Sequence, residues 1–240
     1  LSAPGAGIFS AAIGQGRRGI GFSGTSMAAP HASGAAALVW SSARAGGREP
    51  TAREVAARLV TTADPAGVVI SAERRETPSM ARTGAGALDA RAAVGATTVV
   101  RAGEIARLDF GLVALDAPIV RDATVQVTNL GANVRRYRVA PRFRTDSDRD
   151  HGLELVPAKD ELTVAPGATE RVTVSARLEP DRLHDWRLRG GAAVGDVDAL
   201  ATSELDGWLE VTDTTDAASE AVYRVPQASP GMVPRCTVSR

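Results

Sequence analysis

Small and apolar residues occupy almost every position from Ser26 to about Ala43, and no aspartate, glutamate, lysine or arginine interrupts them before Arg44. A stretch of helical length that is apolar on every face is typical of a helix buried all round. Gly46 and Gly47 follow shortly afterwards, and glycine there favours a helix end. The pattern therefore predicts one long buried helix near the start of the chain.

A second apolar stripe begins after Pro50. Thr51 stands three residues before Glu54, which is the spacing of a capping box. Apolar residues then recur on one helical face, at Val55, Ala56, Leu59 and Val60. We expect a helix over about 52–62 and, after a glycine-rich turn, a short helix near 90–94. The helical pattern ends around residue 96.

Beyond that point, apolar residues alternate with polar ones. The alternation is present in five pieces of the chain, at 123–129, 137–139, 162–164, 171–178 and 207–213. A period of two is typical of strands with one buried face, and turn residues at 129–131 and 165–167 separate them. Several short strands at this spacing predict an all-β sandwich. We place it at 98–225, after a helical segment at 1–97, with 226–240 as a C-terminal tail.

Charge narrows the classes of partner. The chain of 240 residues holds 28 Lys+Arg and 28 Asp+Glu, so its formal net charge is zero. No field of one sign is available to attract nucleic acid or an anionic membrane surface, and we expect neither partner. No stretch approaches the ~18 apolar residues of a membrane span. Cys236 is the single cysteine, so no disulfide can form within the chain and the redox compartment stays open.

The composition around Ser26 calls for a chemical explanation. A serine in the first turn of a helix lies beside free backbone N–H groups and the positive end of the helix dipole, which favour an oxyanion. The Ser26 N–H can serve as one oxyanion donor while its hydroxyl attacks a carbonyl. Gly24 lets a substrate backbone approach closely, and Thr25 adds a hydroxyl. An ordinary helix N-cap is the alternative, because serine is common there, and spacing alone does not decide.

The surrounding motif resembles the nucleophile segment of subtilisin-like serine proteases. That family carries G-T-S-M-A-x-P-H-x-x-G, and this sequence matches the fixed positions with Gly24, Thr25, Ser26, Met27, Ala28, Pro30, His31 and Gly34. Three further segments resemble the family in its own order: A-P-G-x-x-I at 3–8, the following helix at 49–59, and the G-x-G-x-L-D-A close at 84–90. The resemblance covers residues 1 to about 95.

The resemblance implies a fold and an activity. The fold is an α/β subtilisin-like catalytic domain, present here as its incomplete C-terminal segment and followed by the all-β sandwich. The activity is that of a serine endopeptidase, in which Ser26 forms an acyl-enzyme with protein or peptide substrates. Gly24 and Thr25 contribute to the oxyanion and substrate site, and neither a cofactor nor a metal is expected.

The rest of the catalytic triad is expected outside this chain. Subtilisins run Asp, then His, then Ser, and only 25 residues precede Ser26. His31 lies about 7.5 Å further along the same helix, and His151 and His184 fall in the sandwich region. In the family an upstream asparagine side chain supplies the second oxyanion donor, whereas the asparagines of this sequence, Asn129 and Asn133, stand in a predicted turn. The sequence starts at Leu1, without an initiator Met or a signal sequence. We therefore expect a missing N-terminal part of the same domain as partner. For residues 1–240 alone we expect negligible activity.

The sandwich region resembles, more weakly, the fibronectin-type module that follows the catalytic domain in many secreted subtilisin-like proteases. That family habit implies an extracellular location. The module would buttress the catalytic domain, help present substrates or act as a spacer. Residues 146–152 imitate a calcium loop, but the glycine is one place late and Pro157 stands where a bidentate glutamate is needed. The alternative function is a non-catalytic surface or adhesion protein whose sandwich binds a partner.

Overall fold

A computed structural model describes residues 1–69, 78, 80–104, 106–110, 117–144, 153–179, 205–216 and 221–229. Its first 97 residues form a hairpin and helices: β1 Ile8–Ala11, β2 Gly19–Phe22, α1 Thr25–Ala45, α2 Ala52–Thr61, α3 Met80–Thr83 and α4 Ala90–Gly95, with a 3-10 turn at Pro65–Gly67. Strands follow: β3 Thr98–Ala102, β4 Leu108–Asp109, β5 Ile119–Asn129, β6 Arg135–Phe143, β7 Leu153–Pro157, β8 Glu161–Val164, β9 Thr169–Leu178, β10 Leu205–Asp213 and β11 Val222–Ser229.

The predicted helix ends are confirmed. Gly47 takes a φ of +76°, a conformation that favours glycine, and the Arg48 N–H donates to the Ala43 carbonyl at 2.9 Å. At the start of α2 the Glu54 N–H donates to Thr51 Oγ1 at 3.1 Å. The Glu54 carboxylate does not complete the capping box, because it accepts from Arg48 Nη2 at 3.0 Å instead. The local sequence signals therefore set where α1 stops and α2 begins.

The prediction that α1 is buried on every face is wrong for this chain. Within α1, only Ala35, Val39 and Ala43 are buried, and the Leu38 side chain is 57% exposed. The buried face packs against α2 and α4, chiefly on Val55, Leu59 and Ala93. No described element covers the other faces, so their apolar side chains meet solvent.

The described strands of the sandwich form two sheets, as the alternating pattern predicts. One sheet has the strand order β4-β11-β10-β6-β8 and the other has the order β3-β5-β9-β7. All described neighbours are antiparallel except β11 and β4. The alternate residues that face inward form a continuous aliphatic core, including Val125, Val127, Val172, Val174, Leu209 and Val211. β3 starts at Thr98, and β11 runs on to Ser229, four residues beyond the predicted limit of the sandwich.

A buried asparagine organises the turn after β5. Asn129 is fully buried, its Oδ1 accepts from the Gly131 N–H at 2.8 Å, and its Nδ2 donates to the carbonyls of Asn133 and Val164 at 2.8 and 3.0 Å. These bonds tie the turn to the end of β8 and satisfy the buried amide. The turn signal in the sequence was therefore right, and the asparagine also links two strands.

The helical segment is packed onto the sandwich. Ala57 of α2 contacts Val99 and Ala106, and Val60 and Leu130 pack beside them. Asp206 of β10 is fully buried, accepts from the Met80 N–H at 2.7 Å and forms an ion pair with Arg144. A contact so far apart in sequence, between residues 80 and 206, joins the two regions through both apolar and polar groups.

Several features named in the sequence fall outside the described residues: His151, His184, Cys236, the calcium-like stretch 146–152 and most of the predicted tail at 230–240. Among the helices that the structure describes, none is long and apolar enough to cross a bilayer. In the described part of residues 1–97, β pairing consists of the β1–β2 hairpin and two isolated bridges, a parallel one between Ser2 and Ala87 and an antiparallel one between Asp64 and Ala87. The α/β architecture of the segment thus stays a prediction.

Candidate active site

Ser26 is the second residue of α1 and is exposed. The N-cap position belongs to Gly24, whose φ of +156° and ψ of +169° are essentially restricted to glycine. The N–H groups of Met27 and Ala28 donate to the Gly24 carbonyl at 3.0 and 3.4 Å. Because Ser26 lies inside the helix and makes no capping bond, the ordinary N-cap interpretation is wrong for it.

The polar groups of Ser26 are open to a ligand. In the described part of the chain, neither its backbone N–H nor its hydroxyl has a hydrogen-bond partner. The N–H is one of the first donors of a 21-residue helix, where unsatisfied N–H groups and the helix dipole combine to favour negative charge. A backbone N–H and a hydroxyl that have no partner among the described residues therefore stand on one residue.

The A-P-G flank lies against the loop that precedes α1. The Gly24 N–H donates to the Gly5 carbonyl at 2.7 Å, and the Gly7 N–H donates to Ser23 Oγ at 2.8 Å. A Cβ on Gly5 would lie 2.8 Å from the Gly24 oxygen and 3.2 Å from Ala28 Cβ. Glycine at position 5 thus permits the backbone approach that places residues 5–7 beside the start of α1.

The glycine-rich close of the segment joins the same assembly. The Ser2 N–H donates to the Gly86 carbonyl at 2.8 Å, and the Leu88 N–H donates to the Ser2 carbonyl at 2.7 Å. Ala87 and Asp64 exchange two backbone bonds of 2.8 Å each. Gly86 takes a φ of +125°, and a Cβ there would lie 2.5 Å from the Asp64 oxygen. Segments separated by more than 80 residues in sequence therefore meet through backbone pairing.

A buried arginine of α2 is hydrogen-bonded to α4, and the sequence pattern did not single it out. Arg58 is 4% exposed, and it donates from Nε to the Ala93 carbonyl at 3.0 Å and from Nη2 to the Val94 carbonyl at 2.7 Å. Burial lowers the pKa of Arg58, and the Glu54 carboxylate acts in the opposite direction. The only local signal was the four-residue spacing from Glu54. Arg58 thus links α2 to the end of α4, behind α1.

Among the residues that the structure describes, the other polar candidates do not supply a general base. His31 lies on the exposed side of α1 with Nδ1 2.9 Å from the Met27 carbonyl oxygen, one turn back in its own helix. Both ends of the Asn129 side-chain amide are hydrogen-bonded in the turn after β5. Asp64 accepts from the Ala66 N–H at 2.9 Å. Across the described ranges, no three His, Cys, Asp or Glu side chains gather as a metal site would require.

Large apolar side chains are exposed on the hairpin that leads to Ser26. Phe9 is 75% exposed, and Ile13, Ile20 and Phe22 of the same hairpin are also exposed. Leu38, further along α1, is 57% exposed as well. The described site is therefore an exposed serine at the start of α1, on a segment that leaves large apolar side chains exposed to solvent.

One comparison with known proteins agrees with the motif. The model of the Subtilase family of peptidases matches residues 1–97. Residues 1–97 are thus a subtilase-like segment, and the match stops where β3 begins. No curated protein matches the chain.

Likenesses to solved structures involve β-sandwich proteins. One is a FixG-related protein from Vibrio parahaemolyticus, at 14% identity and TM-score 0.35, covering 57% of this chain and 95% of that one. Another is a PapD-like domain of human CEP192, at 5% identity and TM-score 0.36, covering 57% and 86%. A third is the CsuC-CsuE complex of Acinetobacter baumannii, at 13% identity and TM-score 0.33, covering 57% of each chain. At these scores the likeness carries no inference about function, and the fibronectin-type assignment stays a prediction.

Proposed function

We propose that this chain carries the nucleophile part of a subtilisin-like serine endopeptidase. The observation that carries the proposal is Ser26 itself. It is exposed at the second position of α1, its N–H and hydroxyl have no partner among the described residues, and the motif around it lies in a segment matched by the Subtilase model.

The proposed reaction uses both groups of Ser26. Its Oγ attacks the scissile carbonyl carbon, and the carbonyl oxygen becomes an oxyanion that accepts a hydrogen bond from the Ser26 N–H at the positive end of α1. The hydroxyl proton passes to a general base and then to the leaving amine, so the amide bond breaks and an acyl-enzyme forms. Water attacks the acyl group, releases the second product and restores the hydroxyl. Gly24 and Thr25 border the approaching substrate backbone.

We propose that the base and the second oxyanion donor come from an N-terminal part of the catalytic domain that is missing from this chain. We propose that this missing N-terminal part covers the exposed apolar side chains of the hairpin and α1, and brings the triad Asp and His and the oxyanion Asn to Ser26. Loss of one oxyanion donor from a subtilisin costs about 10²–10³ in kcat, and loss of triad members costs more. Residues 1–240 alone are therefore expected to have negligible turnover.

The sandwich is proposed to buttress the catalytic domain rather than to contact substrate. Support comes from the buried contacts of Ala57, Val99 and Ala106 and from the Asp206 bond to the Met80 N–H, all of which hold the helical segment against the sheets. An extracellular location and a fibronectin-type origin of the sandwich belong to the same proposal.

Peptide hydrolysis by the full-length protein tests the function. We expect the wild type to cleave an unfolded protein substrate, Ser26→Ala to lose at least about 10³-fold in kcat, and Ser33→Ala to match the wild type. Ser33 is a matched control, because it is an exposed serine of the same helix whose hydroxyl only bonds the Ala29 carbonyl. Equal activity in Ser26→Ala and the wild type would contradict the proposal. Upstream sequence without D-S/T-G and H-G-T-H segments would favour the non-catalytic surface protein.

A further inference from the structure

The hairpin before α1 does not end on a regular backbone ladder. β1 and β2 pair from Ala11 and Gly19 down to Ile8 and Phe22. At the next step the Gly7 N–H donates to the side chain of Ser23, Oγ at 2.8 Å, instead of to a carbonyl. One residue further, the Gly24 N–H donates to the Gly5 carbonyl at 2.7 Å. Ser23 therefore replaces the backbone acceptor at the point where the two strands separate.

This point controls the direction in which α1 begins. Gly24 makes the change from strand to helix with a φ of +156°, and glycine by itself holds such a conformation weakly because it has many alternatives. The two hydrogen bonds of Ser23 and Gly24 to residues 5–7 fix the loop from one side. The backbone is helical from Thr25 onward, so a change in the loop changes the orientation of the Ser26 N–H and hydroxyl.

We propose that Ser23 is a positioning residue for the nucleophile: by accepting from the Gly7 N–H, its hydroxyl fixes Gly24 and thereby the orientation of the Ser26 N–H and Oγ. This inference rests on the proposed function of Ser26. It adds a residue that touches neither substrate nor the reacting atoms. The consequence is a loss of kcat with little change in KM when the hydroxyl is removed, since binding surfaces elsewhere are untouched.

Amide hydrogen exchange in the chain of residues 1–240 tests the positioning without activity. In Ser23→Ala the Gly24 N–H should exchange about tenfold faster than in the wild type, because the loop loses one of its two fixing bonds. Ser23→Thr keeps a hydroxyl and should restore slow exchange. Ser33→Ala removes the hydroxyl of another exposed serine, within α1, and should leave the exchange of the Gly24 N–H unchanged. Unchanged exchange of Gly24 in Ser23→Ala would overturn the inference.

Kinetics of the full-length protein supply the second test. We expect Ser23→Ala to lower kcat about tenfold, to keep KM within about twofold, and to slow fluorophosphonate labelling of Ser26 by a similar factor, with Ser23→Thr near the wild type. Wild-type kinetics in Ser23→Ala would overturn the positioning role alone. A wild type that neither cleaves nor labels would instead overturn the proposed function, and the exchange of Gly24 would still decide whether Ser23 orders the loop.

Discussion

The two regions of the molecule treat their apolar side chains differently. In the sandwich, the inward residues of both sheets are closed off from water, with Val100, Val125 and Leu209 at 0% exposure. In residues 1–97, Phe9 and Leu38 are mostly exposed and Ile13 is fully so. Val120 and Val134 are the exposed large aliphatic residues of the described sandwich. The described sandwich thus buries its large apolar side chains between its own sheets, apart from Val120 and Val134. The subtilase-like segment leaves several of its large apolar side chains exposed.

This difference shows which region depends on the other. α1 has only one buried face, and the loop that presents Ser26 is held by a few backbone bonds and one serine hydroxyl. The inner side of the helical segment, in contrast, is fixed to the sandwich through α2 and Asp206. We infer that the sandwich stabilises the segment from one side, and that the proposed N-terminal part of the catalytic domain covers it from the other.

Asp206→Ala should have the largest effect, because it breaks the polar link between the regions. Asp206 is fully buried beside Arg144 and the Met80 N–H, and removing one member of a buried ion pair costs about 3–5 kcal/mol in free energy of unfolding. Denaturant unfolding measures the loss. Asp122→Ala is the control, since Asp122 is an exposed aspartate whose carboxylate accepts from Ser175 Oγ. A loss no larger than that of the control would show that the regions are not coupled here.

Leu209→Ala should have the next largest effect on the free energy of unfolding. Leu209 is fully buried in the sandwich core, and truncation of a buried leucine costs about 2–5 kcal/mol. The shift in the midpoint of denaturant unfolding, at an unchanged m-value, gives the loss in free energy of unfolding. A cost below about 1 kcal/mol would contradict the description of the sandwich as a closed core.

Tyr137→Phe should have a smaller effect that depends on pH. Burial raises the pKa of Tyr137 to about 12, although its hydrogen bond with Thr98 acts in the opposite direction. The folded state therefore favours the neutral phenol. The resulting stability is complete below the ordinary tyrosine pKa of about 10 and is lost as the pH rises towards 12.

Chemical denaturation at pH 8, 10 and 12 checks this dependence. The phenylalanine variant should lose about 1 kcal/mol at pH 8, where the bond to Thr98 is missing. Between pH 10 and 12 it should lose less stability than the wild type. Parallel pH profiles of the two proteins would show that Tyr137 does not titrate with unfolding.

Leu38→Ala should have the smallest effect, although the substitution is the same as at Leu209. Leu38 is 57% exposed, and exposed substitutions stay within about 0.5 kcal/mol. In the full-length protein the proposed covering segment should raise the cost to about 2 kcal/mol or more. An equally small cost in both proteins would contradict the proposed cover over α1.

Local features of the fold were predictable from the sequence because their causes are local. The start and end of α1, the Thr51 cap and the strands β5 and β9 follow from residues within a few positions of each other. Sequence also singled out Ser26 and the flanks that now lie around it. Those flanks occur in the same order as in the family that they resemble. The resemblance alone did not show that Gly5 and Gly24 are hydrogen-bonded.

The remaining features depend on contacts between distant residues. An apolar α1 sequence indicated burial on every face, but burial requires partners, and the described residues cover only the side towards Val55 and Ala93. The role of Arg58 depends on carbonyls that lie 35 and 36 residues away, and that of Asp206 on an N–H 126 residues away. No periodicity in the sequence records such pairs.

Fluorophosphonate labelling of the full-length protein tests the central claim most directly. The reagent forms a covalent phosphonyl adduct with an activated serine, and digestion followed by mass spectrometry identifies the modified residue. We predict a single adduct on the peptide that contains Ser26, abolished in Ser26→Ala and retained in Ser33→Ala. No adduct on Ser26, under conditions that label another subtilisin completely, would contradict the account.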